Sequence, residues 1–136
     1  MQLQNQVSSL EFSKKLKELG VKQESLFYWI KLYDGTIILN HSLMREHSVA
    51  GDLYQQFPSV KSNKYSAFTV AELGEMLPRD YMSFHNSIGK WFCEDLDTFI
   101  QPEYKANDYN TEADARAKML IYLIENKVID VIIIII

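Results

Sequence analysis

Phe68-Thr69-Val70-Ala71-Glu72-Leu73-Gly74-Glu75-Met76-Leu77-Pro78 carries the start signal, apolar face and stop signal of one short helix. Thr69 and Glu72 stand at capping-box spacing, so the hydroxyl can accept from the Glu72 amide while the Glu72 carboxylate reaches back to the Thr69 amide. Pro78 lacks an amide hydrogen and biases Leu77 away from helical dihedrals, which ends the helix there. A helix this short has to be held by neighbours, which sets the reading of the flanking segments.

On the N-terminal side, Ser8 and Glu11 repeat the capping-box spacing, and Phe12, Leu16 and Leu19 fall at i, i+4 and i+7. With Gly20 as a left-handed stop, they predict a first helix over residues 9–19. Leu26-Phe27-Tyr28-Trp29-Ile30-Lys31-Leu32 and Ile37-Ile38-Leu39 are β-prone runs joined across Asp34-Gly35, which predicts a hairpin. Periodicity is lost from Asn40 to Ser66, and a long loop with at most one helical turn is expected. Beyond Pro78, Tyr81–His85 and Lys90–Leu96 read as a second strand pair across Asn86-Ser87-Ile88-Gly89, with Gly89 free to take a positive φ. Asp97–Asn110, with Pro102, reads as a connection. Thr111 starts a last helix running to Asn126, with Glu112 and Asp114 favourable to its positive end and Ala113, Ala117, Leu120, Ile121 and Ile124 on one apolar face.

The 136 residues fit one hydrophobic core, taken as a single α+β domain over residues 1–130. An apolar fraction of 47% argues against disorder, and a net charge of −4 argues against a protein that coats phosphate backbones, so no nucleic-acid polymer is expected as partner. The lone Cys93 excludes an internal disulfide and fits a reducing cytoplasm. The opening Met-Gln-Leu-Gln-Asn-Gln-Val has no basic start ahead of an apolar core, and no run of about eighteen apolar residues occurs, so neither a secretory signal nor a membrane span is expected. Val131 to Ile136 is an uninterrupted β-branched run that reads as a buried strand, an aggregation hazard or residues foreign to the natural chain. This isoleucine-rich tail, 131–136, is set apart from functional reasoning.

Ala67–Pro78, Glu112–Asn126 and the opening Leu16-Lys17-Glu18-Leu19-Gly20-Val21-Lys22-Gln23-Glu24-Ser25-Leu26-Phe27-Tyr28-Trp29 together resemble small uncharacterised proteins carried by bacteriophages and integrated elements. The resemblance brings no assigned activity. It implies a mobile-element origin, where small non-catalytic proteins that inhibit or sequester host defence components are a frequent role.

Alternation in the first hairpin strand puts Phe27, Trp29, Lys31 and Tyr33 on one face and Leu26, Tyr28, Ile30 and Leu32 on the other. Neither face is plainly polar. Either both are covered, or Trp29 and Tyr33 with Lys31 between them form a platform that stacks a base or grips a partner, which Trp91 of the second hairpin would join. Arg79 and Lys90, with the helix starts at Thr69 and Thr111, are the candidate donors to a phosphate-bearing ligand. His41 and His47 lie six apart, which suits no standard zinc pattern, so no metal site or cofactor is expected. Cys93 with His85 is the one nucleophile and base pair to weigh, and Glu94 and Asp95 beside the cysteine oppose thiolate formation.

The expected fold is therefore α+β: a mostly antiparallel sheet of about four strands from two hairpins, packed by the N- and C-terminal helices. The expected function is a non-enzymatic, cytoplasmic binding protein that sequesters a small nucleotide-like ligand or blocks a host protein, and a homo-oligomer is possible. The alternatives are a small hydrolase of a nucleotide signal and an assembly protein without a ligand. A basic pocket beside aromatics favours sequestration, a cleft holding His85, Cys93 and carboxylates favours hydrolysis, and an apolar patch favours a protein partner.

Overall fold

The computed structural model describes residues 2–32, 34–41, 63–95 and 106–131, with side chains of 106–108 excepted. Its elements run α1 (Leu10–Glu18), β1 (Phe27–Lys31), β2 (Ile37–His41), β3 (Lys64–Ala67), α2 (Val70–Met76), β4 (Tyr81–His85), β5 (Trp91–Asp95), β6 (Ala106–Tyr109) and α3 (Glu112–Glu125). The class is α+β, and both expected hairpins are present. They do not share a sheet. Each gains a third strand, giving two antiparallel sheets of order β2-β1-β3 and β4-β5-β6.

The added strands come from segments without strand periodicity. β3 occupies the end of the expected loop Asn40–Ser66 and pairs Trp29 with Tyr65, while residues 42–62 lie outside the described residues. β6 occupies the end of the expected connection Asp97–Asn110 and pairs Tyr109 with Trp91 and Ala106 with Cys93, with an irregularity between. Ala-Asn-Asp-Tyr has poor strand propensity, and pairing to a formed neighbour overrides it.

Around α2 the capping box is complete. The Glu72 amide donates to Thr69 Oγ1 at 3.2 Å, and the Thr69 amide donates to Glu72 Oε1 at 2.9 Å. The second Glu72 oxygen accepts from the Leu26 amide at 3.1 Å, so one carboxylate both caps α2 and holds the chain entering β1. Thr69→Ala is expected to lower stability by about 1 kcal/mol in a urea melt, through loss of one capping bond, with no change in any binding activity. An unchanged melt would remove the cap as the reason for this threonine.

At α1 the expected cap moves by one residue. Ser9, and not Ser8, accepts from the Phe12 amide, because Ser8 is drawn into the interior. There its hydroxyl lies 2.7 Å from Ser13 Oγ and accepts from the Phe68 amide, and its carbonyl accepts from the Trp29 indole at 2.8 Å. The far end of α1 is a Schellman stop: Gly20, at φ 91°, donates to Lys17 O and Val21 donates to Leu16 O.

α3 is the centre of the core, contacted by sheet two, α1 and α2. Of the expected face, Ala113, Ala117, Leu120 and Ile121 are buried and Ile124 is half-buried, but Ala115, Met119 and Leu123 on the other side are buried too. A single apolar stripe serves a helix lying on one layer, whereas this helix is enclosed by several. Its first turn is tied to α1, where the Ser9 amide donates to Asp114 Oδ1 at 2.8 Å. Burial raises the Asp114 carboxyl above its usual range, and that amide offsets part of the rise.

Gly74 on α2 faces Arg116 of α3. Arg116 Nε donates to Ser83 Oγ at 2.9 Å, Nη1 donates to Val70 O at 3.2 Å, and Nη2 lies 3.7 Å from Glu112 Oε2. Ser83 in turn donates to Glu112. A Cβ at Gly74 would collide with Arg116 Nη1, so the glycine makes room for the guanidinium between the two helices.

Candidate functional site

The sequence-derived candidates do not converge. Trp29 and Lys31 belong to sheet one and Trp91 to sheet two, so Trp91 does not join the platform by strand pairing. Trp91 instead packs beside the core around α3 and stacks on His85, centroids 4.8 Å apart. Arg79 is exposed in the turn before β4, whereas Lys90, beyond the other end of β4, donates to Asn110 Oδ1. Tyr33 lies outside the described residues. Trp29 is half-buried, with its indole N–H engaged by Ser8 O, and Lys31 is exposed. On the opposite face Tyr28 and Ile30 are buried with Leu32 and Ile38 packed beside them.

Cys93 and His85 do not form a reactive pair. Cys93 is fully buried opposite Ser83, and His85 is exposed opposite Trp91. Burial pushes the Cys93 thiol up to about 12, so thiolate is scarce near neutral pH. Native protein is expected to leave a disulfide reagent such as DTNB unreacted at neutral pH and to consume one equivalent once unfolded in guanidinium. Fast reaction of the native state would contradict the buried placement. Among the described residues no group of three or more His, Cys, Asp or Glu side chains could hold a metal ion.

Two other places stand out. One is the outer face of sheet two. The register places Ser83 with Cys93 and Tyr81 with Asp95 on the inner face, where Tyr81, Cys93 and Asp95 are buried. The opposite face therefore carries Met82, Phe84, Phe92 and Glu94. Phe84 and Phe92 are half-buried and stack at 5.3 Å between centroids, Met82 is 44% exposed, and Ile88 at the hairpin tip is 74% exposed. Both faces therefore carry apolar residues: Tyr81, Trp91 and Cys93 face inward beside Ser83, which serves Glu112 and Arg116, while Met82, Phe84 and Phe92 face outward.

The second lies between α1 and β3. Lys14 and Lys17 hold their ammonium groups 5.6 and 4.9 Å from the centre of the Tyr65 ring, and a cavity of about 390 Å³ is lined by these three residues and Glu18. A larger groove of about 610 Å³ runs between α1 and α3, with the Lys15–Glu125 ion pair at 3.5 Å among its lining residues. Sequence reading missed both places. Lys14 and Lys17 lie off the apolar i, i+4, i+7 positions of the first helix, and Tyr65 lies in the stretch where periodicity is lost. No helix among the described residues is long and apolar enough to cross a membrane.

Comparison with known proteins adds no assignment: no family model, curated protein or solved structure matches this chain.

Proposed function

We propose that this is a non-enzymatic binding protein that acts by docking on another protein through the outer face of sheet two. The carrying observation is the row Met82, Phe84 and Phe92, large apolar side chains held outward by a sheet whose inner face is already packed, with Ile88 exposed at the tip of the same hairpin. Methionine and aromatic residues are the types enriched where protein partners meet, and exposing them on a fixed strand scaffold costs little ordering entropy on binding. The buried, high-pKa Cys93 weighs against the hydrolase alternative. The resemblance to phage-borne and integrated-element proteins supplies the setting: a cytoplasmic protein that blocks a host component, anti-defence in character.

Met82→Lys and Ile88→Lys change only exposed side chains and are expected to leave the melt within about 0.5 kcal/mol of wild type. A partner recovered from host extract by the tagged wild-type chain, then purified, is expected to form a complex of fixed stoichiometry with the wild type and to lose at least tenfold in affinity with either variant. Retention of affinity in both variants would remove this face as the contact surface. If light scattering instead shows a wild-type dimer that both variants dissociate, the face joins copies of this chain and the blocking function fails.

A further inference from the structure

We infer that the free edge of β4 pairs with β4 of a second copy of this chain, joining two copies of sheet two into one continuous antiparallel sheet across a two-fold axis at Ser83. β4 is the outermost strand of its sheet and pairs with β5 alone. The hairpin fixes which way its backbone groups point. The Asn86 amide donates to Lys90 O at 2.8 Å, and bonded pairs recur at every second residue, so Phe84 with Phe92 and Met82 with Glu94 are the pairs bonded to β5. Ser83 and His85 therefore turn their amides and carbonyls to the free edge. Among the described residues no backbone group meets them there. The Tyr81 amide donates to Pro78 O at 3.2 Å, which leaves only the Tyr81 carbonyl for that edge.

An unpaired edge is ordinarily blunted by charge, proline, a bulge or a covering segment. Tyr81-Met82-Ser83-Phe84-His85 holds no Lys, Arg, Asp, Glu or Pro, and its register with β5 is unbroken. The other edges are treated differently: β6 carries Asn107-Asp108 and pairs irregularly, α1 packs against β3, and Asn40 and His41 of β2 have further partners. The strand's own pattern selects a second copy as occupant. A two-fold axis sets a strand against itself, so a charged edge repels its copy and an uncharged one does not. Antiparallel pairing centred on Ser83 puts Met82 opposite Phe84 of the second copy and Tyr81 opposite its His85, with no like charges opposed. Each Ser83 then donates to and accepts from the other, and each His85 amide donates to a Tyr81 carbonyl. On the outer side, Met82, 44% exposed in the single chain, gains an aromatic neighbour. The pairing uses the edge of sheet two and leaves its outer face open, so it stands apart from the protein-docking reading.

Sedimentation equilibrium and amide hydrogen exchange of the full chain over a concentration series test the inference. The wild type is expected to form a reversible dimer, and exchange at the Ser83 and His85 amides is expected to slow at least tenfold as the dimer fills. Exchange at Phe84, already bonded to β5, should change little. His85→Pro removes one edge donor and should weaken dimerisation at least tenfold, whereas His85→Ala keeps the amide and should dimerise within about threefold of wild type. Melts of the dilute chains report whether both variants fold, and the wild-type exchange decides the matter where His85→Pro does not. Ile88→Lys, at the hairpin tip, should dimerise like wild type, which separates this edge from the outer face. A wild-type chain that stays monomeric at every concentration would overturn the pairing. So would a dimer whose Ser83 and His85 amides exchange as in the monomer, or a folded His85→Pro chain that dimerises like wild type.

Discussion

Trp29→Ala is expected to lower the stability of the chain by about 3 kcal/mol, near the lower end of the range for truncating a large buried aromatic, because the ring is half-buried and not fully enclosed. Two losses combine. The space left by the half-buried ring removes packing, and the carbonyl of Ser8 loses its 2.8 Å indole donor, although Ser13 Oγ still reaches that carbonyl at 3.2 Å. Trp29→Phe restores a six-membered ring but neither the N–H nor the rest of the indole, so it should recover part of the loss and remain about 1–2 kcal/mol below wild type. Urea melts of the two variants and wild type check both numbers. A Trp29→Ala chain with wild-type stability would mean that the indole is not an anchor, and the aromatic platform at Trp29 and Lys31 would regain its place as a ligand surface.

Gly74→Ala is expected to destabilise by about 2 kcal/mol, against the direction set by helix propensity. In an unconstrained helix that change would stabilise by roughly 1 kcal/mol. Here the new methyl group takes the space of Arg116 Nη1 and pushes the guanidinium off Val70 O, Ser83 and Glu112, leaving partly buried polar groups short of partners. Arg116→Ala removes the obstacle, so the Gly74→Ala change made in that background should stabilise by the usual helix increment. This reversal of sign across the double-mutant cycle is the measurement to make. If Gly74→Ala stabilises in both backgrounds, Arg116 moves aside without loss and the three-partner network contributes little.

What the residues declare locally is present in the fold. The Thr69, Glu72 and Pro78 spacing produces a capped and terminated helix, Gly20 stops α1, Gly89 takes φ 82° in the second hairpin, and Thr111 caps α3 through the Asp114 amide. Each of these is a contact between residues a few positions apart, so its geometry follows from the chain's own covalent spacing. The displacement of the α1 cap from Ser8 to Ser9 shows where that stops: the two serines are locally equivalent, and the demands of Ser13, Phe68 and Trp29 decide which one turns inward.

The two candidate surfaces were not legible for the same reason. Lys14 and Lys17 gain meaning only when β3, from a stretch without strand periodicity, sets Tyr65 beneath them. The alternation along β4 and β5 shows that Met82, Phe84 and Phe92 share a face, but not that this face points outward. That was decided by α3, whose Glu112 and Arg116 require the Ser83 hydroxyl on the inner side. The sequence by itself therefore determined the α+β class, the two hairpin turns and the helix ends apart from the start of α1, because these rest on short-range hydrogen bonds and backbone preferences. Only the tertiary structure decided that the hairpins join separate sheets, that α3 is buried on several sides, and which charged and apolar groups meet. Those outcomes depend on pairings between segments tens of residues apart, where the energy of packing the whole core outweighs the preference of any one segment.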